Sequence, residues 1–332
     1  MQGWTLERKI RVTQLRIMEW YEYFNGKAVI SFSGGVDSVV LFDLARRIYP
    51  KIEAVFVNTT MEFPEIIRFV RSFDNVTVIR PKTNYSEVIK KYGYPVISKE
   101  ISNYIHRMKT YNGCMEAYKN KIHLKSEEWL RENFSAVPFS FMKCMFGFSK
   151  RTSEEFIRTG IMPKSKYCIS REWRYLIEAP FKISDRCCYH LKKAPIKKYC
   201  KETGNTTIVG TLAEESLMRR QVWLKQGCNA FNATEPKSAP LSFWTKQDIL
   251  RYLKFTKIPY CDLYGRIQET QTGLLKFSGY QRTGCAGCLY GCHLDKTPNR
   301  LQMLKISHPA IYNYLFDKLN YGMVCDYIGL PY

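Results

Sequence analysis

The chain has 332 residues, of which 45% are hydrophobic and 24% charged, a composition that fits a globular protein with a core and excludes a disordered or fibrous chain. No stretch approaches the roughly 20 apolar residues of a membrane span, and the first residues lack the layout of a signal peptide, so we expect a cytoplasmic protein with no membrane partner. The net charge of +21 favours a phosphate-rich partner, either a nucleotide or a nucleic acid.

The first 80 residues alternate between predicted helices and strands. Helices are predicted over 5–24, 36–48 and 63–73, and short apolar strands over 27–33, 52–60 and 76–81. Buried strands that alternate with helices are typical of a parallel sheet covered on both faces. The pattern therefore predicts an α/β fold built on a twisted parallel sheet.

The rest of the chain interrupts this alternation and then resumes it. Residues 85–135 are predicted to be helical and basic, and 136–180 irregular, with Gly147 and Gly160 as breaks. A strand at 206–211 returns to the sheet, a helix at 248–255 follows Thr245 as its N-cap, and the tail, 296–332, is predicted to be helical. The predicted domains are an N-terminal helix (1–25), an α/β domain (26–255) with a helical basic insertion at about 85–180, and a cysteine-rich segment (256–332) packed on that domain.

The positive charge is concentrated in the middle of the chain. Residues 143–202 contain 15 basic and 6 acidic side chains, a net charge of +9, and aromatic residues lie among them: Tyr167, Trp173, Tyr175, Tyr189 and Tyr199. Cations bind phosphates and aromatic rings stack on bases, so the segment fits a nucleic acid such as DNA or transfer RNA. A solvated basic face over buried aromatic rings fits it equally well.

The segment Ser31-Phe32-Ser33-Gly34-Gly35-Val36-Asp37-Ser38 joins the first predicted strand to a helix. Glycines at a helix start let unpaired backbone N–H groups converge on an anion, and the helix dipole favours negative charge there. Ser33 and Ser38 can donate further hydrogen bonds. No lysine follows the glycines, so a P-loop nucleotide hydrolase is a poor fit. Asp37 is unusual in such a loop unless it caps the helix or meets a bound magnesium ion.

These loop residues resemble a known family. Ser33-Gly34-Gly35-Val36-Asp37-Ser38 matches the SGGxDS signature of the PP-loop ATP pyrophosphatases. The resemblance implies an adenine nucleotide alpha hydrolase-like fold. It also implies that Ser31 and residues 33–38 hold the pyrophosphate part of ATP, or the equivalent phosphates of a sulfonucleotide.

Twelve cysteines in a chain without a signal peptide predict metal binding or sulfur chemistry rather than disulfide bonds. Two clusters stand out, the adjacent pair Cys187-Cys188 and the C-x-x-C motif of Cys285 and Cys288. Four thiolates fit either zinc or an iron–sulfur cluster, although adjacent cysteines are awkward ligands for a single tetrahedral zinc.

The cysteine pattern is similar to that of the adenylylsulfate (APS) reductase branch of the PP-loop superfamily, where a Cys-Cys pair and a later C-x-x-C hold a 4Fe–4S cluster. The basic residues Lys192 and Lys193 and the segment Gly210–Arg219 also resemble parts of that branch. We therefore interpret the chain as phosphoadenosine phosphosulfate (PAPS) reductase-like. The resemblance implies cluster ligands at Cys187, Cys188, Cys285 and Cys288, and nucleotide contacts from Lys192, Glu215 and Arg219.

One reductase feature is missing. Sulfonucleotide reductases resemble one another in a C-terminal Glu-Cys-Gly-x-His segment whose cysteine attacks the sulfur of the substrate, whereas Cys325 has none of those neighbours and lies among apolar residues that raise a thiol pKa. Cys292 is a candidate sulfur-carrying thiol, because His293 beside it could lower its pKa; a bystander role is the alternative.

Three functions remain open. The first is an enzyme in which ATP adenylates a nucleic acid, pyrophosphate leaves, and sulfur from a donor protein displaces AMP; Asp37 with magnesium, Arg219 and Cys292 would be catalytic. The second is a PAPS or APS reductase with an unusual nucleophile. The third is a non-catalytic effector that binds a nucleotide or nucleic acid. The complete loop disfavours the third function, and the missing C-terminal motif disfavours the second.

Overall fold

The computed structural model describes all 332 residues, which form ten strands and a larger number of helices. The strands are β1 (Ala28–Ser31), β2 (Ala54–Val57), β3 (Val76–Ile79), β4 (Val96–Ile97), β5 (Thr206–Val209), β6 (Asn229–Ala230), β7 (Lys237–Ser238), β8 (Ile267–Glu269), β9 (Leu275–Phe277) and β10 (Leu289–Tyr290). No helix combines the length and the apolar character that a membrane span needs.

The α-helices vary in length from three to eighteen residues. They are α1 (Leu6–Tyr23), α2 (Val36–Arg46), α3 (Pro64–Arg71), α4 (Tyr85–Tyr92), α5 (Lys99–Thr110), α6 (Cys114–Lys119), α7 (Glu127–Glu132), α8 (Phe139–Phe146), α9 (Lys150–Thr159), α10 (Arg186–Cys188), α11 (Ala194–Thr203), α12 (Leu217–Gln226), α13 (Lys246–Thr256), α14 (Arg300–Ser307), α15 (Pro309–Asn313) and α16 (Tyr321–Tyr327). Short 3₁₀ segments are Ile122–Leu124, Phe134–Ala136, Arg171–Glu178, Ala213–Glu215, Asp262–Tyr264 and Cys292–Leu294, and π-helical turns are Tyr189–Lys193 and Tyr314–Lys318.

The chain divides into two compact units, each made of two segments. The first unit is Met1–Asn84 with His190–Ala286, and the second is Tyr85–Tyr189 with Gly287–Tyr332. The predicted insertion at about 85–180 thus corresponds to most of one segment of the second unit. Residues 256–286 group with the first unit and residues 287–332 with the second, whereas the sequence analysis placed all of them in one C-terminal segment.

The first unit is built on a six-stranded sheet with the order β3-β2-β1-β5-β7-β6. All neighbouring strands are parallel except β6 and β7. Helices lie on both sides of the sheet, so the predicted parallel α/β fold is confirmed. Ile30 of β1 pairs with Ala54 of β2 and Ile208 of β5, and all three are fully buried, as expected for central strands covered on both faces.

The predicted elements of the sheet lie where their apolar patterns place them. Helix α1 begins after Thr5, whose side chain accepts a hydrogen bond from the N–H of Arg8, and Trp20 near its end is buried. Helix α2 buries eight of its eleven residues, among them Val40, Leu41 and Leu44. A helix that is apolar over most of its circumference is a core helix, so α2 is held firmly against the sheet.

A buried ion pair joins the ends of α1 and α13. Lys9 Nζ lies 2.6 Å from Asp248 Oδ2, and both side chains are almost completely buried. Asp248 also accepts a hydrogen bond from the backbone N–H of Thr245, which caps α13 as the sequence predicted. The pair therefore fixes the start of α13, with Thr245 and Asp248 forming a capping box.

The second unit is mainly helical and contains a two-stranded parallel pair, in which Tyr290 of β10 is opposite Ile97 of β4. The predicted helical character of 85–135 is confirmed by α4 to α7. The prediction that 136–180 is irregular is wrong in its first half, which contains α8 and α9. Gly147 and Gly160 have φ values of +77° and +75° and are the C-caps of these helices, so the glycines end helices there.

Candidate functional site

The glycine loop lies between the end of β1 and the start of α2, at the carboxyl edge of the parallel sheet. Ser31 ends the strand, Gly35 is the N-cap of α2, and no side chain caps the helix there. In open α/β sheets, ligands bind outside the carboxyl ends of the strands, and the orphan N–H groups of a helix start attract anions. The predicted phosphate loop therefore lies at the edge of the sheet where open α/β sheets bind ligands.

Gly34 and Gly210 have positions that only glycine tolerates. Gly34 has a φ of +71°, and a Cβ atom there would lie 2.9 Å from side-chain atoms of both Ile66 and Val70 of α3. Gly210 follows β5, and a Cβ atom there would lie 2.8 Å from the backbone oxygen of Asp37. The positive φ and the contact with α3 explain the glycine at position 34, and close packing against the backbone of α2 explains the glycine at position 210.

Hydroxyl groups organise the loop from within. Ser33 and Ser38 Oγ atoms are 3.1 Å apart, Ser38 Oγ donates to the Gly35 carbonyl oxygen at 2.7 Å, and the Ser33 N–H donates to Ser38 Oγ at 3.2 Å. The N–H of Val36 donates to the Tyr264 hydroxyl at 3.2 Å, and that hydroxyl is 2.7 Å from Thr283 Oγ1. The loop is thus held in a fixed conformation by hydrogen bonds within it and to Tyr264.

Asp37 makes an ion pair that the sequence analysis did not predict. Lys246 Nζ, at the start of α13, lies 3.2 Å from Asp37 Oδ1, and both side chains are partly exposed. Asp37 does not accept the capping hydrogen bond of α2, since the helix has no side-chain cap. A carboxylate beside the loop therefore has a cationic partner in the same unit.

Glu215 and Arg219, the two residues that the resemblance places near the nucleotide, form an ion pair with each other. Ser216 between them is the N-cap of α12, and its Oγ accepts from the N–H of Arg219 at 3.2 Å. Burial lowers the pKa of Arg219, and the Asp37 carboxylate is close enough to oppose that shift. Arg219 and Asp37 therefore share one neighbourhood.

A cavity of about 170 Å³ opens beside the loop. Its walls include Ser31 and Ser33 of the loop, Lys192, Thr283 and the buried carboxyl group of Glu62. Glu62 is held by Thr59, whose N–H and Oγ1 both donate to it at 2.8 Å. The cavity is smaller than the roughly 300 Å³ of a complete small-molecule pocket, so it suits one part of a nucleotide.

Sequence reasoning missed Lys246, Tyr264, Thr283 and Glu62. Glu62 follows β2, and a polar residue just after a buried parallel strand was a usable signal. Lys246 follows β7, but that strand is two residues long and has no recognisable pattern. Tyr264 ends a short 3₁₀ segment and Thr283 lies in an irregular one, both far along the chain, so no local pattern indicated them.

Three of the four predicted cluster cysteines lie in the second unit, near Tyr290. The pKa of Tyr290 is raised well above its usual value, first because the phenol is buried and then because Cys187, Cys188 and Cys288 act on it electrostatically. Cys285 belongs to the first unit, where its Sγ is 3.8 Å from Thr59 Oγ1. No group of three or more His, Cys, Asp or Glu side chains has the arrangement of a metal site in the structure.

Cys292 and Cys325 are both buried in the second unit. Burial raises the pKa of Cys292 to about 11 and that of Cys325 to about 12. The effect on Cys325 was expected from its apolar neighbours. For Cys292 the expected influence of His293 is not seen; the His293 ring instead makes an edge contact with Trp173, with ring centroids 5.2 Å apart. Both thiols are therefore protonated near neutral pH, which disfavours the predicted catalytic role of Cys292.

Comparison with known proteins finds one family model and one relative that each match most of the chain. The family model described as phosphoadenosine phosphosulfate reductase domain matches residues 27–130 and 158–290, together more than half of the chain. An adenosine 5'-phosphosulfate reductase of Geobacillus kaustophilus is 21% identical over 276 residues, which cover 82% of this chain and 78% of that protein.

Two further matches are more limited. An uncharacterized protein of Methanocaldococcus jannaschii is 31% identical over 111 residues, so the match spans 31% of this chain and only 27% of that relative. The crystal structure of PAPS reductase from Candida auris, a phosphate complex, matches with a TM-score of 0.38 and 13% identity, covering 76% of this chain and 82% of that one.

Proposed function

Since the chain belongs to the phosphoadenosine phosphosulfate reductase domain family, we propose that it is an enzyme whose glycine loop binds the phosphates of ATP or of an adenine sulfonucleotide. The observation that carries this proposal is the start of α2, with glycine as its N-cap, at the carboxyl edge of the sheet. Ser33 supplies a hydroxyl donor, Ser38 holds the loop through the Gly35 carbonyl oxygen, and Lys192 lines the adjoining cavity, which suits another part of the nucleotide.

The reaction that we favour is adenylation. An acceptor oxygen attacks the α-phosphorus of ATP, the bond to the β-phosphate oxygen breaks, and pyrophosphate leaves. The loop N–H groups and hydroxyls stabilise the charge on the departing pyrophosphate, and Arg219 balances the charge that develops on the α-phosphate. Magnesium, held by Asp37, would neutralise phosphate oxygens. Sulfide from the donor then attacks the adenylated centre of the acceptor, a bond to sulfur forms, and AMP leaves with the acceptor oxygen.

A nucleic acid is the acceptor that we propose, with a separate protein as the sulfur donor. The basic segment 143–202, with its net charge of +9, supports this choice because cations and aromatic side chains bind single strands. Tyr175 and Tyr189 in this segment are exposed, and the Tyr175 ring also contacts the rings of Trp173 and Tyr327. Rings that are all buried would instead have favoured the alternative of a solvated basic face.

Reduction of APS or PAPS is the second candidate, favoured by the Geobacillus kaustophilus relative that matches 82% of this chain and is named as an APS reductase. Reduction needs a thiolate that attacks the sulfur of the substrate. The thiols of Cys292 and Cys325 are buried and have raised pKa values, so neither is suited to that attack. Because neither thiol is suited to that attack, we rank adenylation above reduction.

A 4Fe–4S cluster is part of the proposal. The donors available are thiols, the ligands that iron–sulfur clusters take, and three of them act on the single phenol of Tyr290. Within the second unit, Cys187, Cys188 and Cys288 would be ligands of the cluster, which would supply a site for sulfide when bound.

Cys288→Ser is expected to remove most of the iron and the visible absorbance of anaerobically purified protein. The variant should also unfold at a lower temperature than the wild type, because metal ligation contributes free energy of folding. Iron assay, absorption spectroscopy and thermal unfolding measure these changes. Cys200→Ser is the matched control and should keep the iron, since Cys200 lies on α11 outside the predicted ligand set. A Cys288→Ser protein with full iron content would show that the ligand assignment is wrong.

The proposed reaction is tested by the products that the protein makes. Anaerobic protein is incubated with labelled ATP and magnesium, alone or with DNA or transfer RNA, and AMP with pyrophosphate is separated from ADP with phosphate. Parallel samples contain APS or PAPS with thioredoxin and are assayed for sulfite. AMP and pyrophosphate that rise with one nucleic acid support adenylation and identify the acceptor class, whereas sulfite without ATP turnover supports the reductase.

A further inference from the structure

The side chains of the phosphate loop have a net negative charge. Residues 31–38 contain no lysine or arginine, yet they contain Asp37 in the first turn of α2. A carboxylate at this place repels the phosphate oxygens that the loop N–H groups attract, and the partial charge of the helix start is only about half a unit. A magnesium ion on Asp37 would offset this repulsion when it is bound, but without the ion the cation beside Asp37 has to come from the protein itself.

Lys246 is placed to be that cation. Its Nζ is 3.2 Å from Asp37 Oδ1, although the two residues are 209 positions apart in sequence. An ammonium group has three donors, and the bond to Asp37 uses one of them. About a third of the Lys246 side chain is exposed, so a ligand that arrives from solvent can reach the group.

The backbone of Lys246 is fixed by its surroundings. Lys246 is the first residue of α13, and its N–H donates to the Glu214 carboxylate. The Thr245–Asp248 capping box and the buried Lys9 ammonium hold the same turn. A long side chain on a fixed backbone loses less freedom on binding, which favours its use as a phosphate contact.

The neighbouring arginine is less available. Arg219, which also acts on Asp37, is already paired with Glu215. Binding a phosphate through Arg219 would require that pair to rearrange, whereas Lys246 can keep Asp37 and use its remaining donors.

We propose that Lys246 is a phosphate-binding residue of this site: it neutralises Asp37 in the free protein and donates directly to the pyrophosphate part of the incoming nucleotide. The inference rests on the proposed function, since it names a further contact of the same phosphate site. It also explains how a loop without lysine can bind a polyanion, because the cation comes from α13, 209 positions later in the sequence.

Titration calorimetry with inorganic pyrophosphate and with magnesium-ATP tests this inference. Lys246→Ala should weaken the binding of both ligands by about ten- to a hundredfold, the usual loss for a hydrogen bond to a charged group. Lys246→Arg should restore most of the affinity, because it keeps the charge. Lys254→Ala is the matched control on the same helix, exposed and two turns further along, and should bind as the wild type does.

A double-mutant cycle with Asp37→Asn separates direct contact from neutralisation. If Lys246 donates to the phosphate, then Lys246→Ala weakens pyrophosphate binding about tenfold in the Asp37→Asn background as well. If Lys246 only neutralises Asp37, then the double variant binds as Asp37→Asn does, and the direct contact is refuted. Thermal unfolding of each variant shows whether a loss of binding comes from a loss of fold.

The outcomes distinguish this inference from the proposed function. If the wild type and Lys246→Ala bind pyrophosphate and ATP equally well, the role of Lys246 is overturned and the proposed function is not. Wild-type protein that binds neither ATP, APS, PAPS nor pyrophosphate would overturn the proposed function, and the role of Lys246 with it.

Discussion

Asp37→Ala is expected to lower the rate of nucleotide turnover at least a hundredfold. The proposed role of Asp37 is to hold magnesium at the phosphates, and charge stabilisation by such an ion contributes several kcal/mol to a phosphoryl transition state. A loss of about 3 kcal/mol corresponds to a factor of about 10² in rate. Release of AMP and pyrophosphate from ATP, or of sulfite from APS, measures the effect in whichever reaction the wild type performs.

The fold should survive this change. The Asp37–Lys246 pair is partly exposed, and pairs of that kind contribute at most about 1 kcal/mol to stability. The melting temperature and the iron content should therefore stay close to those of the wild type. Asp262→Ala, which removes an exposed carboxylate from the same unit, is the control and should turn over at the normal rate. Normal turnover by Asp37→Ala would refute a catalytic role for this carboxylate.

Asp248→Ala is expected to destabilise the protein by about 3 to 5 kcal/mol, the cost of leaving a buried charge without its partner. Lys9 lies 2.6 Å from Asp248 and is buried, so water cannot replace the lost carboxylate. The change also removes one half of the capping box of α13. Urea denaturation, followed by circular dichroism, should show a much lower midpoint at an unchanged slope.

The double variant Lys9→Met with Asp248→Ala distinguishes the buried charge from the cap. Removing both charges relieves the unpaired ammonium, so the double variant should be more stable than Asp248→Ala alone. The remaining difference in the free energy of unfolding between the double variant and the wild type measures the loss of the cap and the change in packing. If Asp248→Ala cost less than about 1 kcal/mol, the ion pair would have no more effect than an exposed one.

The sheet could be predicted from the sequence because its central strands are short, continuous apolar runs. The segments around Ile30 and Val55 have this character, and both lie in buried parallel strands. The edge of the sheet could not be predicted, since β6 and β7 have two residues each and their pairing depends on tertiary contacts. The helices that end at Gly147 and Gly160 were not predicted, because a glycine that ends a helix looks the same in sequence as one in a loop.

The candidate site was predictable only where one contiguous segment builds it. The loop at residues 31–38 combines a strand end, glycines and a helix start, so its position followed from local rules. Lys246 and Tyr264 reach the loop from segments more than 200 residues away, and a single sequence contains no signal for contacts of that range. The raised pKa of the Cys292 thiol could not be predicted from the sequence either, because it depends on burial rather than on the neighbouring residue.

The pairing of β1 with β5 has a consequence for the synthesis of the protein. Ala28 of β1 is in register with Thr206 of β5, so the central strand of the sheet meets one of its two neighbours only after some 180 further residues have been translated. Until then one edge of β1 has unpaired N–H and C=O groups, the kind of edge on which chains aggregate. Contacts between residues so distant in sequence also form slowly. We expect the nascent chain to pass through an aggregation-prone interval between the emergence of β1 and that of β5, so that slower synthesis or chaperones raise its yield.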